Sequence, residues 1–120
     1  MWIVDNGVLL PMRTVDPVED FGIMQHPLDD VCGGGAQERI DVFNAILRNE
    51  ATSSDGNKKY YGTLEINAVR DFILINSAVG LYAVGLCQSL KEGVHMARKA
   101  IENGSAARTM EQFVSLTKSL

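Results

Sequence analysis

At 120 residues the chain has room for one domain and not for two, and 46% hydrophobic with 22% charged residues is ordinary globular composition. A net charge of −4 argues against a nucleic-acid partner, which needs a basic surface. The charge is uneven: residues 1–56 carry three basic and ten acidic side chains, residues 57–120 eight and five, an attraction that salt screens to little.

In chain order, Trp2 to Val15 reads as two short strands around Asn6-Gly7, a dipeptide suited to the positive φ angles of a type I′ turn. This start reads as strand and not as a basic, apolar leader. Pro11 removes a ladder donor and marks an edge. Asp16-Pro17-Val18-Glu19 has the pattern of a capped helical turn, with Asp16 as cap, Pro17 in the first position, Glu19 reaching back and Gly22 as the stop. His26-Pro27 opens another turn through Leu28 and Val31. After Gly33-Gly34-Gly35 a helix is predicted from Ala36 to about Asn49, with Ala36, Ile40, Phe43 and Leu47 on its apolar face.

Residues 51–61, Ala51 to Tyr61, have no period and are rich in turn formers, so they read as a mobile surface loop. A helix from Leu64 to about Leu86 follows, apolar nearly all round after Arg70-Asp71 and therefore expected to be surrounded by other elements. The stretch from Phe72 to Leu90 has no charge, but Asn76, Ser77, Gly80, Gly85, Gln88 and Ser89 interrupt it, which favours a buried helix over a membrane span. Ser89 and Glu92 form a capping box for a helix striped by Leu90, Val94, Ala97 and Ile101 and stopped at Asn103-Gly104. Ser105 recaps a last helix striped by Ala106, Met110, Phe113, Val114 and Thr117. A lone hairpin with open edges, beside a helix needing more cover than its neighbours supply, suggests a C-terminal piece of a larger fold.

Candidate chemistry is thin. The triple glycine before a helix could expose N–H groups to an anion, but the lysine and Ser/Thr of a P-loop are missing, so it reads as a connector. Asp16, Glu19, Asp20, Asp29 and Asp30 could be drawn around magnesium, yet acids at helix starts are the usual response to the helix dipole. His26 and His95 have no partner at metal-ligand spacing. Cys87 reads as a small core hydrophobe and Cys32 as an exposed thiol without a base. Two cysteines are too few for a disulfide framework and point to a reducing, cytoplasmic setting. Lys58-Lys59 with Tyr60-Tyr61 is a weak nucleic-acid signal on an acidic chain and reads as a solvated loop.

Several segments in series nevertheless carry a resemblance: Val15 to Ile23; His26-Pro27-Leu28 through Gly33-Gly34 and Gln37-Glu38-Arg39; Arg70-Asp71-Phe72 with Leu74-Ile75-Asn76; Lys91-Glu92-Gly93-Val94 with Ala97 to Ile101; and Ser105-Ala106. Together they resemble the C-terminal part of the anthranilate phosphoribosyltransferases, of glycosyltransferase family 3 type, in a fungal form. The resemblance implies an α/β family fold of which residues 1–120 are the C-terminal part, a single or partial domain with a short N-terminal hairpin followed by about four main helices. It implies transfer of phosphoribosyl from phosphoribosyl pyrophosphate to anthranilate in tryptophan biosynthesis, with magnesium in the intact enzyme.

The family's Gly-Thr-Gly-Gly-Asp loop, anthranilate-contacting residues and Asp-Glu magnesium pair do not occur here. No residue is therefore assigned as catalytic, cofactor-binding or metal-binding, and the chain alone is expected to be an inactive scaffold piece that binds no magnesium, whose partner is the upstream part of the same fold. Nucleic acid and membrane are not expected as partners. The alternatives are a non-enzymatic helical interaction module and a superfamily member with another acceptor.

Overall fold

A computed structural model describes residues 1–51 and 58–120. β1 (Val4–Asp5) and β2 (Val8–Leu9) pair antiparallel, with Val4 opposite Leu9. Asn6 and Gly7 both take positive φ, 49° and 79°, so the two-residue turn is of the expected primed kind. Leu10 N–H to Ile3 O and Arg13 N–H to Met1 O prolong the ribbon past the strands, and Pro11, which has no N–H, falls between those two bonds.

α1 (Pro17–Phe21) is the single capped turn that the sequence predicts. Asp16 accepts from Val18 and Glu19 N–H. The return bond comes from Asp20 and not from Glu19: Asp20 Oδ2 accepts from Asp16 N–H at 2.7 Å, while Glu19 is exposed. Gly22 closes the turn at φ 68°. A 3₁₀ turn at Leu28–Asp30 then leads to α2 (Ala36–Leu47). Its buried face is Val42, Ala45 and Ile46, flanked by Phe43 and Leu47, while Ala36 and Ile40 are exposed. The stripe is thus rotated from the predicted one, because neighbours decide which of two apolar arcs is covered.

The predicted loop 51–61 needs correction at both ends, residues 52–57 lying outside the described residues. Ala51 is buried, and β3 (Tyr60–Tyr61) pairs antiparallel with β4 (Leu64–Glu65). Gly62 at φ 64° supplies the positive angle at the first central position of a two-residue turn. Leu64 consequently belongs to a strand, and the helix begins later: α3 spans Ile66–Ala83, with Glu65 as cap accepting from Ala68 N–H at 2.8 Å. It also stops earlier than predicted. Gly85 turns left-handed at φ 80°, and the bonds from Gly85 N–H to Tyr82 O and from Leu86 N–H to Leu81 O close a Schellman motif.

α4 (Leu90–Glu102) starts at Ser89, whose hydroxyl accepts from Glu92 N–H at 3.0 Å. Glu92 returns its bond to Gln88 N–H, one residue before the cap. α5 (Ser105–Ser119) follows Gly104 at φ 80°, and Asn103 Oδ1, not Ser105, makes the capping bond, accepting from Ser105 N–H. The core runs through Phe21, Ile46, Leu64, Ile66, Leu74 and Val94. α3 and α4 pack most closely: a Cβ on Gly93 would meet Ala78 Cα at 2.9 Å, so only glycine lets the two backbones approach this far.

The architecture is the expected one, mostly helical after a short hairpin, with a second hairpin the sequence reading had missed. The expectation that α3 is surrounded fails within this chain. Ile66, Ala68, Asp71, Leu74 and Ala78 are buried, but Phe72 on the other side is 56% exposed.

Candidate functional site

Two ionic clasps hold the irregular segments, one to α3 and one to β3. In the first, Asp71 on α3 is nearly buried, its side chain 6% exposed. Its Oδ1 accepts from Arg70 Nε and Nη2 at 2.9 and 2.8 Å, and its Oδ2 lies 2.7 Å from His26 Nε2. Arg70 Nη1 also donates to Ala51 O at 3.1 Å. One carboxylate thereby joins three stretches of chain: the connector after α1, the end of the α2 segment, and α3. His26, read from the sequence as a polar residue without a metal-ligand partner, is a hydrogen-bonded residue in a partly buried pair. A His–Asp pair is part of many catalytic sites, but among the described residues no hydroxyl or thiol hydrogen-bonds to His26. Both oxygens of Asp71 are engaged, so one carboxylate fastens His26 to α3 and holds Arg70 in place.

The second clasp is more exposed. Asp30 accepts from Lys58 Nζ at 3.2 Å and from Tyr60 Oη at 3.4 Å. The hydrogen bond to Asp30, aided by its charge, raises the Lys58 pKa above the ordinary lysine value. Lys59 lies over the Tyr61 ring, 5.3 Å from its centroid. The basic-aromatic stretch is therefore spent on internal contacts.

The triple-glycine turn is occupied by the chain itself. Glu38 reaches back from the first turn of α2 and accepts from Gly35 N–H. A Cβ on Gly62 would lie 2.7 Å from the same carboxylate. The helix N-terminus that an external anion would need already faces one. The acids considered for magnesium do not gather either. Asp16 caps α1, Asp20 bonds Asp16 N–H and Arg13, Asp30 belongs to the second clasp, and Glu19 and Asp29 are exposed. Among the described residues no three His, Cys, Asp or Glu side chains converge to hold a metal ion. The acids considered above therefore do not fit magnesium. Cys32 is exposed, Cys87 is buried and both are free; His95 is exposed on α4.

An open apolar groove of about 940 Å³ lies between α2, α3, α4 and α5, lined by Phe43, Ile73, Gly80, Leu81, Ala100 and Phe113 among others. α5 buries no residue; Phe113 is 61% and Leu116 66% exposed. The hairpin is open as well, with Trp2, Val4, Val8 and Leu9 all exposed. No helix among the described residues is long and apolar enough to cross a membrane. Open apolar faces on α5 and on the first hairpin thus stand beside two clasps that fasten irregular segments.

The chain belongs to the glycosyl transferase family whose a/b domain matches residues 1–107. It is similar to the anthranilate phosphoribosyltransferase of Methylibium petroleiphilum, 45% identical over 107 residues, which are 89% of this chain and 26% of that protein. The enzyme of the same name from Xanthobacter autotrophicus is 33% identical over 118 residues, 98% of this chain and 29% of that protein. That of Schizosaccharomyces pombe is 30% identical over 118 residues, again 98% and 29%. The chain thus spans under a third of the curated relatives it matches, and corresponds to their C-terminal part. No solved structure matches it.

Proposed function

We propose that the chain is the C-terminal part of an anthranilate phosphoribosyltransferase. The intact protein would transfer phosphoribosyl from phosphoribosyl pyrophosphate to anthranilate, with magnesium, in tryptophan biosynthesis in the cytoplasm. The observation that carries this reading is the match of nearly the whole chain to one region of enzymes bearing that name. Phosphoribosyl transfer builds positive charge on the ribose and needs phosphate ligands and an aligned amine in fixed positions. In this chain His26, Asp30, Glu38 and Asp71 are engaged in holding loops, which supports a scaffold role: the clasps fix the connectors and the helices present an apolar face to the rest of the fold. The 120 residues alone are inactive on this reading. A fungal origin is the finer part of the proposal; a fungal enzyme stands among the relatives beside bacterial ones.

The test joins this chain to the upstream part of the Methylibium enzyme in place of that enzyme's own C-terminal region. Anthranilate fluorescence is followed with phosphoribosyl pyrophosphate and magnesium. The chimera is expected to consume anthranilate and the isolated chain to leave it unchanged. Product from the isolated chain overturns the scaffold role; a folded, inactive chimera overturns the transferase reading. The interaction-module alternative draws on the same open α5 face, and a folded but inactive chimera would favour it.

A further inference from the structure

We infer that Asn6-Gly7 is a site of spontaneous covalent modification, where Asn6 loses ammonia and becomes isoaspartate or aspartate, while the fold shields the second Asn-Gly pair, Asn103-Gly104. The inference rests on the first hairpin and the α4–α5 join alone, whichever function the chain serves.

The sequence holds two Asn-Gly pairs, each preceded by an acid: Asp5-Asn6-Gly7 and Glu102-Asn103-Gly104. Their local chemistry is therefore nearly the same. The backbone nitrogen that follows an asparagine can attack the side-chain amide carbon, and glycine, lacking a Cβ, leaves that approach open. A bond forms between the glycine nitrogen and asparagine Cγ, and the Cγ–Nδ2 bond breaks. The amide nitrogen leaves as ammonia, carrying the glycine's proton. Water then opens the five-membered imide at either carbonyl. The step needs an unengaged glycine N–H and an asparagine side chain free to swing over it.

The two pairs differ on both counts. Asn6 and Gly7 form the exposed tip of the hairpin, at φ 49° and 79°, and a Cβ on Gly7 would meet nothing within 4 Å. Strand pairing joins Asp5 to Val8, so among the described residues nothing holds the Gly7 N–H or the Asn6 amide. Asn103 is exposed as well, so exposure does not separate the sites. Hydrogen bonds do. Gly104 N–H donates to Ile101 O at 3.2 Å, Asn103 N–H donates to Lys99 O at 2.9 Å, and Asn103 Oδ1 accepts from Ser105 N–H at 2.9 Å. Cyclisation there must first undo the join of α4 and α5. At Asn6 the product matters to the fold: isoaspartate puts an extra methylene into the backbone of a two-residue turn, which breaks the Asp5–Val8 register.

The test incubates the chain, alone and within the chimera described above, in mildly alkaline buffer, and follows both sites by peptide mapping with isoaspartate detection. In the folded protein Asn6 is expected to react at least about 10-fold faster than Asn103, where two or more hydrogen bonds must open first. In urea the two rates should converge to within about twofold. Asn6→Gly leaves a Gly-Gly pair that the turn accepts, and should abolish ammonia loss at the hairpin. If the isolated chain does not fold, its two sites converge without urea and the chimera decides. Equal or reversed rates in the chimera overturn the inference. So does an excess at Asn6 that survives in urea, because the difference would then lie in the neighbouring residues and not in the fold.

Discussion

α4 and α5 are neighbouring amphipathic helices of similar length, and the molecule treats them in opposite ways. α4 lies against α3 so closely that Gly93 touches the Ala78 backbone, and it buries Val94 and Ile101. α5 carries a weaker apolar stripe and fully buries none of it. Periodicity says that a face will be covered; it does not say by which chain. In α4 the cover is encoded nearby, one turn after the end of α3. For α5 the described elements supply it only in part: Ala106 packs against the core while Phe113 and Leu116 stay exposed.

Substitutions can break or sharpen that contrast. The largest effect is expected at the first clasp, which anchors the α3 side of the comparison. Asp71→Ala strands the Arg70 guanidinium, whose side chain is 11% exposed, and should cost about 3–5 kcal/mol in denaturant unfolding. A loss below 1 kcal/mol would mean that water already reaches the pair. Next comes Gly93→Ala, where the added methyl meets Ala78 at 3.0 Å or less. It should cost about 1–3 kcal/mol, and a neutral result would show that α4 is free to slide. By contrast, Phe113→Ser with Leu116→Ser on α5 should change the stability of this chain by no more than about 0.5 kcal/mol for each substitution; a larger loss would mean that α5 is already covered here.

The smallest effect concerns pH. The Lys58 pKa is raised in the folded state, so the contribution of its pair with Asp30 is complete below the ordinary lysine value of 10.5 and is lost as pH rises through the folded value. Lys58 is solvent-exposed, so the effect is small. A Lys58–Asp30 double-mutant cycle should show coupling at pH 8 that fades above pH 10.5; coupling that persists there would remove the ion pair as its source.

Local signals in the sequence were legible and long-range ones were not. Asn6-Gly7, Asp16, Gly22, Ser89 and Asn103-Gly104 were readable because each acts on backbone groups a few residues away. The second hairpin was hidden because Gly62-Thr63 sits inside a run rich in turn formers, although Tyr60-Tyr61 and Leu64-Glu65 flank it as short strands. The true face of α2 was hidden because Ile40 and Val42 lie on different arcs, and only the neighbours choose between them. The clasp of His26 with Asp71 had one weak sign, a pair of opposite charges opening an otherwise uncharged stretch. Nothing in either residue's surroundings named a partner 45 positions away.

That separation has a kinetic meaning. Closing the chain between His26 and Asp71 spans three times as many residues as closing it between Ala78 and Gly93, an entropic handicap of about 1 kcal/mol, or about fivefold in encounter frequency. The helix pair should therefore form first and the clasp should close over it. On unfolding the order reverses, and the amides nearest His26 and Ala51 should exchange their hydrogens before those at the α3–α4 crossing.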